Sequence, residues 1–243
     1  MLTTYPAADQ SSPGNNAGAF LPGPMRGVLH TTEGGSAAGA IGAYKKHNSW
    51  PHFTVAQDGK VYQHVPLDRA ARSLQNQSGG VETNRQGAIQ IEVVGYAARP
   101  DWPLAQVTAM ILLMRWIEAQ TGIKPGTFPV FGDSKQYGLR NPLEFTPAQW
   151  NDFNGWCGHQ HVPENSHWDP GAINIANLLP TEVFMPENEA PPIIDIQSPE
   201  GVVAQGIAAL CNSEGVCTGY LILGTDGGVF GFGPGARYFG RVS

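Results

Sequence analysis

The segment Leu104–Thr121 constrains this chain more than any other. It reads as one helix that is apolar nearly all round, with Thr108, Arg115 and Glu118 forming a single polar stripe. A helix with so little polar face must be covered, and a sheet is the usual cover. Sheet material precedes it. Residues 26–30 read as a short strand before the turn Glu33-Gly34-Gly35, and Ser36 caps a helix running to about His47. Residues 52–65 read as a hairpin, because two β-rich runs flank Gln57-Asp58-Gly59-Lys60 and Asp-Gly is a strong hairpin signal. In the strand 87–94, Ile89, Ile91 and Val93 share one face, while Gln90 and Glu92 share the other. After the long helix, residues 129–132 read as a short buried strand. Thr146-Pro147-Ala148-Gln149 reads as a capping box opening a helix that ends near Gly155, and Asp169-Pro170 as the start of a helix reaching about Leu179. Alternating strands and helices predict an α/β fold, a central mixed sheet flanked by helices.

Four segments are expected. Residues 1–24 form a Pro/Gly/Ser/Asn-rich arm, residues 25–183 the α/β domain, residues 184–200 a linker with Pro186, Pro191, Pro192 and Pro199, and residues 201–243 a small Gly-rich β appendage. All seven histidines lie between positions 30 and 167, and the last 60 residues hold six of the 20 acidic groups but only two of the 14 basic ones, so the tail reads as a separate unit. The net charge of −6 argues against nucleic acid. The densest apolar run, residues 109–114, is far too short for a membrane span. The first residues lack a basic start with an apolar block, so a chain without a secretory signal is expected, made in the cytoplasm. Three cysteines cannot build a disulfide framework; Cys211 and Cys217 either close a small loop or stay as free thiols.

Chemistry concentrates in three places. His30 stands where a strand gives way to a Gly-rich loop. The segment Gly158-His159-Gln160-His161-Val162-Pro163-Glu164-Asn165-Ser166-His167-Trp168-Asp169 packs three His and an Asp into apparent loop. Glu92 is the lone charge in an apolar strand. Catalytic zinc takes three protein ligands from His and Asp/Glu and keeps one position open. His30, His159 and Asp169 supply such a set, and Glu92 and His167 fit the base and the donor that hydrolysis at a carbonyl needs. Each residue also has a plainer reading. Asp169 before Pro170 is a helix N-cap, Glu92 a solvated residue on an open sheet face, His30 a satisfied structural histidine, and His64, His161 and Cys157 ordinary buried groups.

These motifs resemble the zinc-dependent N-acetylmuramoyl-L-alanine amidases, the family that shares its fold with peptidoglycan recognition proteins and the amidase-type phage lysozymes. The resemblance covers roughly residues 25–180. It rests on Val28-Leu29-His30-Thr31-Thr32, on Ile89-Gln90-Ile91-Glu92, on Gly158-His159 followed ten residues later by Asp169-Pro170-Gly171, and on Ser49-Trp50-Pro51-His52-Phe53 leading into the Asp58-Gly59 hairpin. Two positions depart from the family pattern. His167 stands where many members carry Lys, and Pro51 where some carry Tyr. The block from Gly158 to Gly171 is also similar to lysins of actinobacterial phages, and residues 219–233 resemble one copy of an aromatic/Gly β-repeat of actinobacterial wall proteins.

The resemblance implies a monomeric peptidoglycan hydrolase, a phage endolysin that meets the bacterial wall after release from the producing cell. Zn²⁺ would be held by His30, His159 and Asp169, with Glu92 as general base and His167 as oxyanion donor. Two alternatives stay open at this point. One is a non-catalytic peptidoglycan-binding module of the same fold, and the other a zinc peptidase cutting within the stem peptide. The tail either contacts wall or packs on the core.

Overall fold

The computed structural model describes residues 2–138 and 141–179 and, further on, the backbone of four strands between residues 204 and 241. The chain divides into two units, Met1–Pro180 and Thr181–Ser243.

In the first unit the order is β1 (Arg26–Thr31), α1 (Ala37–His47), β2 (Phe53–Val55), β3 (Val61–Gln63), β4 (Ala88–Val93), α2 (Leu104–Thr121), α3 (Ser134–Tyr137), α4 (Pro147–Asp152) and β5 (Trp156–Gly158). The five strands form one mixed sheet in the order β3-β2-β4-β1-β5. Strands β2, β4, β1 and β5 run parallel, and β3 is the antiparallel edge hairpinned to β2. The hairpin turn is the expected one, with Gly59 in the left-handed region and the Asp58 carboxylate accepting from Lys60 N.

Alternation sorts the sheet into two faces. Leu29, Phe53, Val55, Ile89, Ile91, Val93 and Trp156 join Met110, Leu113, Met114 and Ile117 of α2 in the main core. Val28, Ala88 and Cys157 turn to the opposite face, where Trp150 of α4 covers them. Helix α2 is buried as its composition demands, yet two of its polar residues are interior. Gln106 is fully enclosed, and its Nε2 donates to Val55 O and Val94 O, the carbonyls where β2 and β4 end. Glu118 does not belong to a water-facing stripe: it is buried, accepts from Trp156 Nε1 at 2.7 Å and pairs with Arg115 at 2.9 Å. That contact fastens α2 to β5.

Two expected elements are absent. Residues 129–132 are not a strand. Pro129 has no N–H to give, and neighbouring groups are taken by side chains instead, Val130 O by His161 Nε2 and Gly132 N by Gln160 Oε1. No helix begins at Asp169. The carbonyls of Trp168, Asp169 and Gly171 all accept from Gln160, and the local backbone bonds are the tight turns Gly171 N to Trp168 O and Ile173 N to Gly171 O rather than a helical ladder; one short 3₁₀ turn, Ile175–Asn177, follows.

The arm is tied down along its length. Tyr5 is buried in the core, Asp9 bridges the outer edge of β3 at Tyr62 and pairs with Lys60, and Gly14, Ala17 and Leu21 donate backbone bonds to His64, Ala70 and Arg85. The open edge of β3 is thereby covered.

In the second unit β6 (Ala204–Cys211), β7 (Cys217–Gly224), β8 (Gly228–Phe232) and β9 (Tyr238–Arg241) form an antiparallel meander in that order. Cys211 and Cys217 are register partners in the β6–β7 ladder. Their side chains, the expected linker at 184–200 and the aromatic side chains of the tail lie outside the described residues. Among the described residues, no helix is long and apolar enough to cross a membrane.

Candidate metal centre

The parallel register builds the site. His30 is opposite Glu92 in the β1–β4 ladder, Thr54 is opposite Glu92 in the β2–β4 ladder, and Leu29 pairs with Gly158, which puts His159 one step past β5 beside His30. Thr54, Glu92, His30 and His159 therefore form one row at the carboxyl ends of four parallel strands, where open α/β sheets place their ligands.

Asp169 completes the row by folding back over β5. Gly158 permits this, because a Cβ there would meet the Pro170 ring at 2.5 Å and Phe131 at 2.8 Å. Gly171 has a φ of +81° and lies against Ala97 O, so Asp-Pro-Gly requires its glycine twice over. Gln160, wholly buried, is the clamp. Its N–H donates to Asp169 O at 3.0 Å, its Nε2 to Trp168 O and Gly171 O, and its Oε1 accepts from Gly132 N.

Donor atoms of three residues converge, with each imidazole facing a different oxygen of Asp169. His30 Nδ1 is 3.2 Å from His159 Nδ1 and 3.3 Å from Asp169 Oδ2, and His159 Nδ1 is 3.2 Å from Asp169 Oδ1. All three residues are buried and close enough together to hold a metal ion. The donor set fits zinc: two imidazoles and a carboxylate are a zinc donor set, and one ligand atom from each residue lies within 4.8 Å of the others. Burial lowers the His159 pKa and keeps the ring neutral, as a ligand must be. Burial alone would raise Asp169, but the His159 and His30 rings facing it hold its carboxyl far below the ordinary range. The helix-cap role open to Asp169 is not realised, since both of its oxygens face histidines.

Glu92 and His167 flank the triangle differently. Glu92 keeps part of its surface accessible, but its Oε2 is enclosed without a hydrogen-bond partner. Burial, reinforced by the Asp169 and Glu33 carboxylates, pushes it up to about 8. It is not a solvated face residue. His167 is 59% exposed, stacks on the His159 ring at 4.2 Å and lies 3.7 Å from Asp169 Oδ1. Asn165 steadies it, accepting from His167 N and donating to His159 O.

The other buried histidines are saturated. His161 accepts from Gly158 N and donates to Val130 O. His64 lies between Ser12 O and the Thr54 hydroxyl. Cys157 packs against Gly27 O, with burial pushing its thiol up to about 12. Gln160 was not singled out by sequence reasoning. Its one signal is its place between two histidines on an apparent loop, where a solvated side chain would be expected.

A groove of about 1210 Å³ reaches His159 and is lined also by His167, Asn165, residues 72–77, Glu82, Asn84 and Arg85.

A search of curated proteins finds no match. Among solved structures the chain is similar to an AmpD derivative (14% identity, 73% of this chain and 96% of that one, TM-score 0.49). It is also similar to the Ph2119 endolysin from a Thermus scotoductus MAT2119 bacteriophage (18%, 70% and 92%, TM-score 0.41) and to the Drosophila peptidoglycan recognition protein SD (17%, 68% and 85%, TM-score 0.43). The family described as N-acetylmuramoyl-L-alanine amidase matches residues 24–172, a span that opens just before β1 and closes just after the clamped Asp-Pro-Gly turn. That match takes in every strand of the sheet and the whole triangle, and this chain belongs to the N-acetylmuramoyl-L-alanine amidase family.

Proposed function

We propose that the protein hydrolyses the amide between the lactyl group of N-acetylmuramic acid and the first L-Ala of the peptidoglycan stem, and that it serves as a phage endolysin. His30, His159 and Asp169 would hold Zn²⁺ through two Nδ1 atoms and a carboxylate. When bound, the ion polarises the scissile carbonyl and makes water a better nucleophile. Glu92, beside His30 in the same row, takes the proton from the attacking water and passes it to the leaving amine. A cation at the triangle favours the ionised carboxylate and so opposes the burial that raises Glu92 in its absence. His167, exposed at the groove, donates to the developing oxyanion in the role that Lys fills in many relatives.

The observation that carries this reading is the convergence of the His30 and His159 Nδ1 atoms on the Asp169 carboxylate, with Glu92 next to it. A module that only bound peptidoglycan would need neither the triangle nor an enclosed, partnerless carboxylate oxygen beside it. The endolysin role draws its support from the Gly158 to Gly171 block, which resembles actinobacterial phage lysins. Digestion of purified cell walls tests the reading. New Ala amino termini without new reducing sugars are expected; reducing sugars, or termini other than Ala, would overturn it.

A further inference from the structure

We propose that Arg72 forms a carboxylate subsite of the groove, one that selects stem peptides with a free α-carboxylate on the residue following L-Ala. The proposal rests on the amidase reading above and adds to it a substrate preference.

The backbone of Arg72 is fixed. Its N–H donates to Trp50 O at 2.7 Å, Ala70 and Ala71 on one side are fully buried, and Leu74 on the other is buried too. Asn84 brackets Leu74 from both sides, accepting from Leu74 N at 3.1 Å and donating to Leu74 O at 2.7 Å. Gln90 Nε2 in turn donates to Asn84 Oδ1. Gln90 is two residues before Glu92 on the same face of β4, so the bracket is tied to the strand that carries Glu92.

The side chain is not committed elsewhere. Arg72 is exposed, lines the groove, and makes no side-chain hydrogen bond or ion pair among the described residues. Neither acid of the groove pairs with Arg72 among the described residues: Glu82 Oε1 accepts from Asn76 Nδ2 and Arg85 N, and Glu164 Oε2 from Val81 N. In a chain of net charge −6, this guanidinium lines the same groove as His159 and His167. A guanidinium fork matches a carboxylate with two parallel bonds, which a carboxamide cannot replace because it has one acceptor oxygen and no charge. In the stem, the second residue is a γ-linked D-Glu. Its free α-carboxylate is the first anionic group past the scissile amide, and in amidated walls it becomes a carboxamide.

The test compares muramoyl-L-Ala-D-Glu with muramoyl-L-Ala-D-isoglutamine, measuring both hydrolysis and calorimetric binding to the full-length zinc protein. The expected preference for the free acid is about 10- to 100-fold, expressed in KM and in binding, as for a hydrogen-bonded charge pair. In Arg72→Gln the ratio should fall to about one, and Arg72→Lys should restore part of it. Equal handling of the two peptides by the wild type, or a preference that survives Arg72→Gln, would overturn the subsite. If neither peptide is hydrolysed, the amidase reading fails on its own, while the binding ratio still decides the subsite.

Discussion

His52, at the entrance to β2, and His30, at the exit from β1, are both almost wholly enclosed, 0% and 2% exposed. Their bonding differs. His52 Nδ1 accepts from Gln90 N at 2.9 Å and its Nε2 donates to Arg69 O at 2.8 Å, so every polar atom of the ring is used and its tautomer is set. Burial lowers it to about 4 and keeps it neutral. His30 has an Nε2 with no partner and an Nδ1 that faces both another ring nitrogen, His159 Nδ1, and the Asp169 carboxylate. One region is a saturated pin, the other a cluster with bonding capacity left over. Burial alone does not separate structural from chemical histidines; unspent valence does.

The sharpest way to break this contrast is to remove a ligand. Replacing His30 or His159 by Ala should take zinc from about one per chain to near none and abolish hydrolysis, because a ligand is lost outright. Elemental analysis of protein purified without added metal reads the first, amide cleavage the second. An active, zinc-free preparation would remove the metal from the mechanism altogether.

Glu92→Gln probes the same row without touching the triangle. Turnover should drop about 10²–10⁴-fold with zinc content unchanged. Near-wild-type rates would take Glu92 off the acid–base list.

His52→Ala is the counterpart in the saturated region. It strands a buried N–H and carbonyl, and should lower stability by about 2–4 kcal/mol in urea titrations while zinc stays bound. The pH response carries a definite sign. The folded value, about 4, lies below the ordinary 6.5, so the unfolded chain binds more protons between them. Wild-type stability contributed by this ring is complete above pH 6.5 and drains away as pH falls towards 4; His52→Ala should flatten that part of the curve. A variant as acid-sensitive as the wild type would show that other groups set it.

The smallest effect is expected from ending the chain at residue 180. The triangle, Glu92 and His167 all precede that point, so cleavage of small muropeptides should change little, while pull-down on intact walls should weaken if the β6–β9 meander binds wall. A fall in melting temperature together with both activities would instead show that the tail supports the core.

Much of the triangle was legible because its spacing is local. His30 ends a strand and His159 and Asp169 are ten residues apart, and Glu92 could be assigned to a face from alternation alone. What joins them was not legible, because it depends on register and long-range bonds. The pairing of His30 with Glu92 requires knowing that β1 lies next to β4. Gln160 and Gln106 are polar residues whose burial follows from carbonyls supplied by segments far away in sequence. For the same reason residues 129–132 and 169–179 depart from the expected strand and helix. Local propensity was correct as far as it went, but side chains of Gln160 and His161 had taken the backbone groups that a strand or helix would have used.

Strand order also fixes when, along the growing chain, the site can exist. Four of the five strands lie within residues 26–93, and β5 adds at the edge beyond β1. Until residues 156–171 leave the ribosome, the nascent sheet holds a single corner of the triangle, His30, next to an edge still open for β5. A hydrolase assembled in this order is inert for most of its synthesis, and any nascent fragment released before the Asp-Pro-Gly turn carries the fold's beginnings without its chemistry.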